Sequence, residues 1–251
     1  MTETPTGPPA QDELYETRMS LAEHLIELRK RMLISFGVLT VLFLIAFNFS
    51  KELLAFIERP VLRYVGHLQY DTLTDPFFTH LKASAYAALF VGFPIVLSQI
   101  WLFIRPGLYK HEKAAVWPFL LVSFPLFVGG GSFLYYAAYP LAIEFLVNFD
   151  RTLVPSLRVG DYLSFTIQLM MVFGLVFEMP LIALFLTRLG LINAGMLIRG
   201  RRYALVLIAL AAAILTPPDV FSMTLLGVPM LILYEISIIV CRFVKPRKRD
   251  G

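Results

Sequence analysis

Long apolar runs without charge constrain this chain more than any other feature. Six runs are bounded by charged or turn residues: 32–49, 83–104, 114–139, 163–186, 203–215 and 220–241. All but the fifth have the roughly 20 residues with which a helix crosses a bilayer core. The chain is 58% hydrophobic and 16% charged, with a mean hydropathy of +0.72, whereas about a quarter of a soluble domain is charged. The sequence therefore predicts an all-α membrane protein.

The fifth run, 203–215, leaves the number of spans open. It is too short to cross unless the bilayer thins locally or the helix is packed inside the protein, and a re-entrant segment would place the carboxy terminus on the other side. With six spans, sixteen of the 22 Lys and Arg residues fall on one side and six on the other. Since basic residues concentrate in cytoplasmic loops, we expect six spans, a short fifth and sixth among them, and both termini in the cytoplasm.

Three regions follow from the charge pattern. Residues 1–19 carry acids and prolines but no apolar run, so they are expected to be a disordered cytoplasmic leader and not a signal or transit peptide. Residues 20–243 form the six-helix membrane domain, and 244–251 form a basic cytoplasmic tail.

The sequence lacks the signatures of an enzyme. It has no phosphate-binding loop, no nucleophile elbow and no zinc-protease motif. Cys241 is the only cysteine, which excludes an internal disulfide, and the four histidines lack the spacing of metal ligands. We therefore expect no catalysis, no cofactor and no metal, and any work must draw on a partner, on binding energy or on the membrane potential.

A charged helix start precedes the first apolar run. Ser20 and Glu23 have the spacing of a capping box, and Glu27 follows one turn later, about 7 to 8 Å before the apolar run on a helix. One interpretation is that Glu27 only pairs with Arg31, which is worth a few tenths of a kcal/mol. The other is that this carboxylate at the membrane surface binds a ligand.

Glu112 is a second acid in a basic setting. It is the only acid between Asp75 and Glu144, and it lies in a predicted inner loop rich in basic residues. It could neutralise Lys113 or Arg105, or it could accept a guanidinium in a charge-assisted pair, worth about 1.5 to 3 kcal/mol. Glu27 and Glu112 are expected on the same side of the membrane, where together they could bind two cationic side chains.

Glu178 lies inside the fourth apolar run. An ionised carboxylate at that depth costs at least about 2.5 to 3.5 kcal/mol. Glu178 is therefore expected to be a docking point or a proton-responsive group facing a partner or a wet concavity; the alternative is a protonated acid that donates to a backbone carbonyl for packing.

Aspartates and prolines mark helix starts and bends. Asp75 before Pro76, and Asp219 after two prolines, are placed to start the second and sixth spans. Prolines 94, 125, 180 and 229 fall inside four runs and favour kinks, which predicts a curved, cupped bundle.

These features together resemble the TatC family, the multi-spanning subunit of the twin-arginine protein translocase. The resemblance covers nearly all of 20–243 and is carried by six motifs in order: 24–31 (HLIELRKR), 75–78 (DPFF), Phe103 with 106–112 (PGLYKHE), 173–180 (FGLVFEMP), 216–219 (TPPD) and Pro229 with 234–235 (YE). Each motif is weak alone, but six in order at six-span spacing are specific.

The resemblance implies a receptor for the twin-arginine signal peptides of folded proteins. Glu27, Glu112 and Phe103 match the family's recognition residues on the cytoplasmic face. Glu178 matches the polar position in the concavity where single-span TatA- and TatB-type subunits make contact.

It also implies the setting of the protein. Pro60 and Asp219 match outer-face positions linked to function. The family works in the bacterial inner membrane on the proton-motive force without ATP, as homo- and hetero-oligomers in the lipid bilayer, and no nucleic-acid partner is expected.

Two rival functions remain open from the residues alone. A proton-coupled small-solute transporter would use Glu178 as a proton relay, although such transporters usually contain repeated halves and no repeat is visible. A scaffold that binds membrane proteins without moving cargo would show no dependence on arginine.

Overall fold

The computed structural model describes residues 21–70, 72–104, 116–149, 157–216 and 219–244. Within these ranges the chain is helical apart from short connections, and the only β-type pairing is an isolated bridge between Gln69 and Arg158. The helices are α1 (Leu21–Asn48), α2 (Ser50–Val65), α3 (Asp75–Ile104), α4 (Val116–Phe133), α5 (Tyr139–Phe149), α6 (Val159–Phe177), α7 (Met179–Arg188), α8 (Ala194–Leu215) and α9 (Val220–Phe243); a π-helical turn, Leu134–Ala138, joins α4 to α5.

Five helical segments of the described part are long and apolar enough to cross a membrane: Ala22–Asn48, Asp75–Phe103, Trp117–Phe149, Val159–Arg188 and Val220–Phe243. The all-α membrane class is thus confirmed. The short run 203–215 is the second half of α8, whose first half carries three arginines, and α8 is not among the five. Six spans, their cupped arrangement and the side on which the termini lie therefore remain predictions, as do the leader and the tail, because residues 1–20 and 245–251 lie outside the described ranges.

Contacts between the ends of separate helices define two ends of the molecule, which we call the Glu27 face and the Asp219 face. At the Glu27 face, the start of α1 meets the end of α3 where Arg31 contacts Gln99. At the Asp219 face, the ends of the helices are tied by the backbone pairing of Gln69 with Leu157 and Val159 and by the stacked rings of Phe145 and Phe221.

The packed core lies toward the Asp219 face. Its buried cluster draws residues from α2, the π-helical turn, α5 and α6, and it includes Val61, Leu134, Leu163 and Phe173, none of which is exposed. By contrast, α1 packs mainly on α3, and none of its most apolar window is buried. α8 packs mainly on α9. The two edge helices therefore present open apolar surfaces.

Glycines allow α4 and α6 to approach closely. A Cβ added to Gly130 would meet the backbone carbonyl of Phe173, and one added to Gly174 would lie 2.5 Å from the ring of Phe127. Gly130 and Gly174 thus serve close helix packing.

Only one intramembrane proline coincides with a helix break. Pro94, Pro125 and Pro229 lie inside the continuous helices α3, α4 and α9. In the fourth run, α6 ends at Phe177 and α7 begins at Met179, with Pro180 in its first turn, where a missing N–H costs no helical hydrogen bond. Glu178 is the residue at this break.

Candidate functional site

The Glu27 carboxylate is engaged at the start of α1. Arg31 forms a salt bridge to its Oε1 at 2.5 Å and also donates to it from Nε at 2.7 Å, one helical turn away. The same guanidinium donates from Nη1 to Oε1 of Gln99 on α3 at 3.2 Å. The pair is largely buried, with side-chain exposures of 20% for Glu27 and 23% for Arg31. Arg31 therefore fixes Glu27 on the side of α1 that faces α3.

An aromatic stack lies beside this ion pair. The rings of His24 and Phe103 are 4.2 Å apart between centroids and inclined by 23°, and His24 lies three residues before Glu27 on the same helix. Phe103 is half-buried at the end of α3. The structure thus brings two sequence-predicted site residues, Glu27 and Phe103, to one small surface. The third, Glu112, lies outside the described residues.

Aromatic packing supports the same end of the molecule. Phe119 and Phe185 form a small buried cluster against Trp101, and the Arg188 guanidinium lies 5.8 Å from the centre of the Phe119 ring. These contacts join α4 and α7 to the end of α3, the helix that also carries Gln99 and Phe103.

Glu178 is buried in the helix break. Glu178 is only 4% exposed, and its carboxyl lies beside the side chain of Ser123 on α4. Among the described residues, neither Glu178 Oε1 nor Ser123 Oγ has a hydrogen-bond partner of normal geometry. Buried polar atoms usually have a hydrogen-bond partner. Glu178 Oε1 and Ser123 Oγ are therefore unusual, because within the described part they are unpaired polar atoms inside an apolar span.

Pro60 is buried in the middle of α2, where its missing N–H leaves the Phe56 carbonyl, four residues earlier, without a helical donor. The hydroxyl of Tyr135 donates to that carbonyl, and the hydroxyl of Tyr162 donates to the next one, of Ile57, at 2.8 Å. The proline therefore frees the Phe56 carbonyl for Tyr135, and Tyr162 adds a second hydrogen bond to the backbone of α2.

Asp219 caps α9. Its Oδ1 accepts from the Ser222 N–H at 2.7 Å, which confirms the cap predicted from the sequence, while its buried Oδ2 has no partner in the described part. Asp75, the other predicted cap, is instead the first residue of α3, and its carboxylate accepts from the Thr72 N–H and hydroxyl.

Sequence reasoning missed several partners. Nothing in the sequence linked Gln99 to Arg31, Ser123 to Glu178, or the two tyrosines to the α2 carbonyls. The available signal was only that polar atoms inside an apolar run must find a partner, and this rule does not say which one. Among the described residues no cluster of metal-ligating side chains occurs.

Fold and site together define a multi-pass helical membrane protein with a partly buried ion pair and a ring stack at one end and a carboxyl group buried in a broken span. The chain belongs to the TatC family: the model of "Sec-independent protein translocase protein (TatC)" matches residues 23–229. It is thus a component of the Tat translocase in the bacterial inner membrane.

Named relatives and solved structures agree with this family. A TatC from Magnetococcus marinus is 41% identical, over 94% of this chain and 88% of the relative, and one from Helicobacter pylori is 38% identical over 92% of each. A crystal structure described as the twin arginine translocase receptor TatC superimposes with a TM-score of 0.78 at 37% identity, covering 88% of this chain and 98% of that one. A second such structure, in a detergent, gives a TM-score of 0.80.

Proposed function

We propose that this chain is the subunit that receives twin-arginine signal peptides of folded cargo at its Glu27 face. In this proposal the Glu27 face is cytoplasmic, the chain crosses six times, and both termini lie in the cytoplasm. Support comes from the solved relative described as a receptor and from the basic residues that the sequence concentrates on that side.

The arrangement of Glu27 with Arg31 is the observation that carries the proposal. Both described contacts of this carboxylate fall on Oε1, so the carboxylate already binds one guanidinium through two of its nitrogens. An incoming arginine can displace Arg31 or bind the other oxygen. Lysine offers only a point charge, so the site favours arginine.

The neighbouring groups give the signal peptide its further contacts. Phe103, stacked on His24, offers a ring face to a second guanidinium or to an apolar residue of the signal. Glu112 is proposed as the second acid. Once Arg31 is released from Glu27, Gln99 on α3 can still hold it, so the displaced guanidinium keeps a partner.

Glu178 is proposed as the contact point for TatA- and TatB-type single-span subunits. Its carboxyl oxygen without a partner in the described part, beside Ser123, would gain a hydrogen bond from a polar residue of a partner helix. Such a bond stabilises the complex more in an apolar environment than in water. Signal binding would then shift these subunits into a translocation-competent assembly driven by the proton-motive force.

A binding measurement in lipid nanodiscs tests the receptor role. A synthetic twin-arginine signal peptide is titrated onto the protein and onto Glu27→Gln and Glu112→Gln, with a two-lysine peptide in parallel. We expect each change to weaken binding roughly tenfold or more, as for the loss of a charged hydrogen bond. Glu52→Gln, which removes an exposed acid of α2, is the matched control.

The outcomes separate the candidate functions. Equal binding of the two peptides would disprove bidentate recognition and leave Glu27 as a structural partner of Arg31. Proton flux that depends on a small solute, in vesicles that contain this chain alone, would favour a transporter instead. Thermal unfolding of each variant serves as the fold control.

A further inference from the structure

A half-open cavity of about 360 Å³ lies near the Asp219 face. Its walls come from α2, the π-helical turn, α5, α6, the end of α8 and the start of α9. Among the described residues of the lining, which are almost all apolar, only Asp161, Thr216 and Ser222 add carboxylate or aliphatic hydroxyl groups. The function proposed above does not use this cavity.

The cavity is too large to stay empty and too apolar to fill with water. A dry apolar cavity of about 150 Å³ already binds a benzene-sized molecule, and this one is more than twice that size. An ordered water needs two to four polar partners, but the Thr216 hydroxyl already donates to Ala212 O. Since unfilled space deprives the lining of dispersion contacts, an apolar ligand is the natural occupant.

The polarity of the cavity changes with depth. Asp161 and Ser222 lie in the first turns of α6 and α9, near the membrane boundary. Leu169, eight residues beyond Asp161 and thus about 12 Å deeper along the helix, is buried in the wall, as is Leu226. A polar rim above a deep apolar part matches a molecule with a polar head and an apolar chain.

The rim contains a hydroxyl without a described partner and an exposed acid. Ser222 is 3% exposed and lines the cavity, and its Oγ has no partner in the described part of the chain. The mouth carries the exposed carboxylate of Asp161. A carboxylate and a hydroxyl favour a head that donates hydrogen bonds and carries positive charge.

We propose that this cavity binds one phospholipid of the ethanolamine type, with an acyl chain in the apolar part and the ammonium group at Asp161 and Ser222. The leaflet on the Asp219 side supplies such lipids at the depth of the cavity, because its rim lies at the ends of three candidate spans. Bound lipid completes the wall between α5, α6 and α9 and so stabilises this end of the protein.

Native mass spectrometry of the purified protein tests the proposal. The protein is released from detergent with phosphatidylethanolamine, phosphatidylcholine or phosphatidylglycerol carrying identical chains, and retained lipids are counted. We expect one retained phosphatidylethanolamine, with phosphatidylcholine bound more weakly because its head has no N–H. Ala142→Trp, which places a large ring in the cavity, should abolish retention, whereas Ala213→Trp on an exposed part of α8 should not.

A milder substitution tests the head group. Ser222→Ala leaves the cavity volume almost unchanged but removes one acceptor, so it should reduce the preference for ethanolamine over choline by roughly two- to tenfold without abolishing chain binding. If Ala142→Trp fails to fold, Leu226→Phe narrows the cavity from the opposite wall.

Three results would overturn the proposal. The first is equal lipid retention by the wild type and the filled-cavity variants. The second is a head-group preference that Ser222→Ala leaves unchanged, which would disprove the ammonium site. The third is complete release of the lipid by saturating signal peptide in the wild type but not in Glu27→Gln, which would assign the cavity to the peptide.

Discussion

The two faces of this protein are built in different ways. At the Glu27 face, the recognition surface depends on one ion pair, one ring stack and a helix, α1, whose most apolar window has no buried residue. At the Asp219 face, α2, the π-helical turn, α5 and α6 share a buried core, and tyrosines hold the backbone of α2. The proposed signal-binding surface is thus carried by the less buried helix, where we expect side chains to exchange partners at low cost, and we expect most of the stability to come from the buried core at the other end.

The largest expected effect comes from replacing one phenylalanine in the buried core and one on α1. Phe173 is fully buried in the core, while Phe36 of α1 is 71% exposed. Phe173→Ala should destabilise the protein by about 3–5 kcal/mol because it leaves a cavity, and Phe36→Ala should have little effect. Thermal unfolding in one detergent measures both, and equal losses would show that α1 contributes to stability as much as the core does.

A second test concerns the tyrosine that holds α2. Tyr135→Phe removes the donor to the Phe56 carbonyl and should cost about 1–3 kcal/mol, the penalty of an unsatisfied buried acceptor. Pro60→Ala supplies a backbone N–H to the same carbonyl, so the tyrosine substitution should cost less in that background. Unfolding of the wild type, the two single variants and the double variant gives the coupling energy between the two positions. If Tyr135→Phe cost the same with and without the proline, the Phe56 carbonyl would not link the two residues.

The smallest effect concerns pH at the Asp219 face. Burial raises the pKa of the Glu58 carboxyl of α2 above its ordinary 4.5, and this outweighs the lowering by the nearby His80. Folding therefore favours the protonated acid: the stabilisation is complete below pH 4.5 and is lost as the pH rises through the raised pKa. Glu58→Gln should flatten this part of the stability profile.

The control for that experiment is Glu52→Gln, which removes an exposed carboxylate from the first turn of the same helix. Unfolding temperatures measured between pH 4 and pH 7 distinguish the two variants, because this range covers the titration of a carboxyl group with a raised pKa. A Glu58→Gln profile parallel to that of the wild type would show that this carboxyl does not contribute to the pH dependence.

Much of the fold could be predicted from the sequence because the membrane imposes a simple rule. Apolar runs must become helices, since backbone groups find no other partner in lipid, and Asp219 could be identified as a cap from its position alone. The helices extend beyond the runs, however: α3 begins at Asp75 and α8 at Ala194, because amphipathic turns continue a helix past the point where hydropathy falls.

The candidate site was predictable only in part. The sequence singled out Glu27 and Glu178 because a charge near lipid is costly, whereas Phe103 and Pro60 were identified only by the resemblance to the TatC family. It could not say that Arg31 reaches Gln99, that Ser123 lies beside Glu178, or that Pro60 leaves a carbonyl for Tyr135.

The sequence by itself determined the helical membrane class and the positions of its unusual polar residues, since both follow from local hydropathy and charge. Only the tertiary structure decided which of those residues meet and where the chain leaves a cavity. Partner choice and cavity shape depend on how separate helices pack against one another, and that packing joins residues far apart in the chain, such as Tyr162 and Ile57.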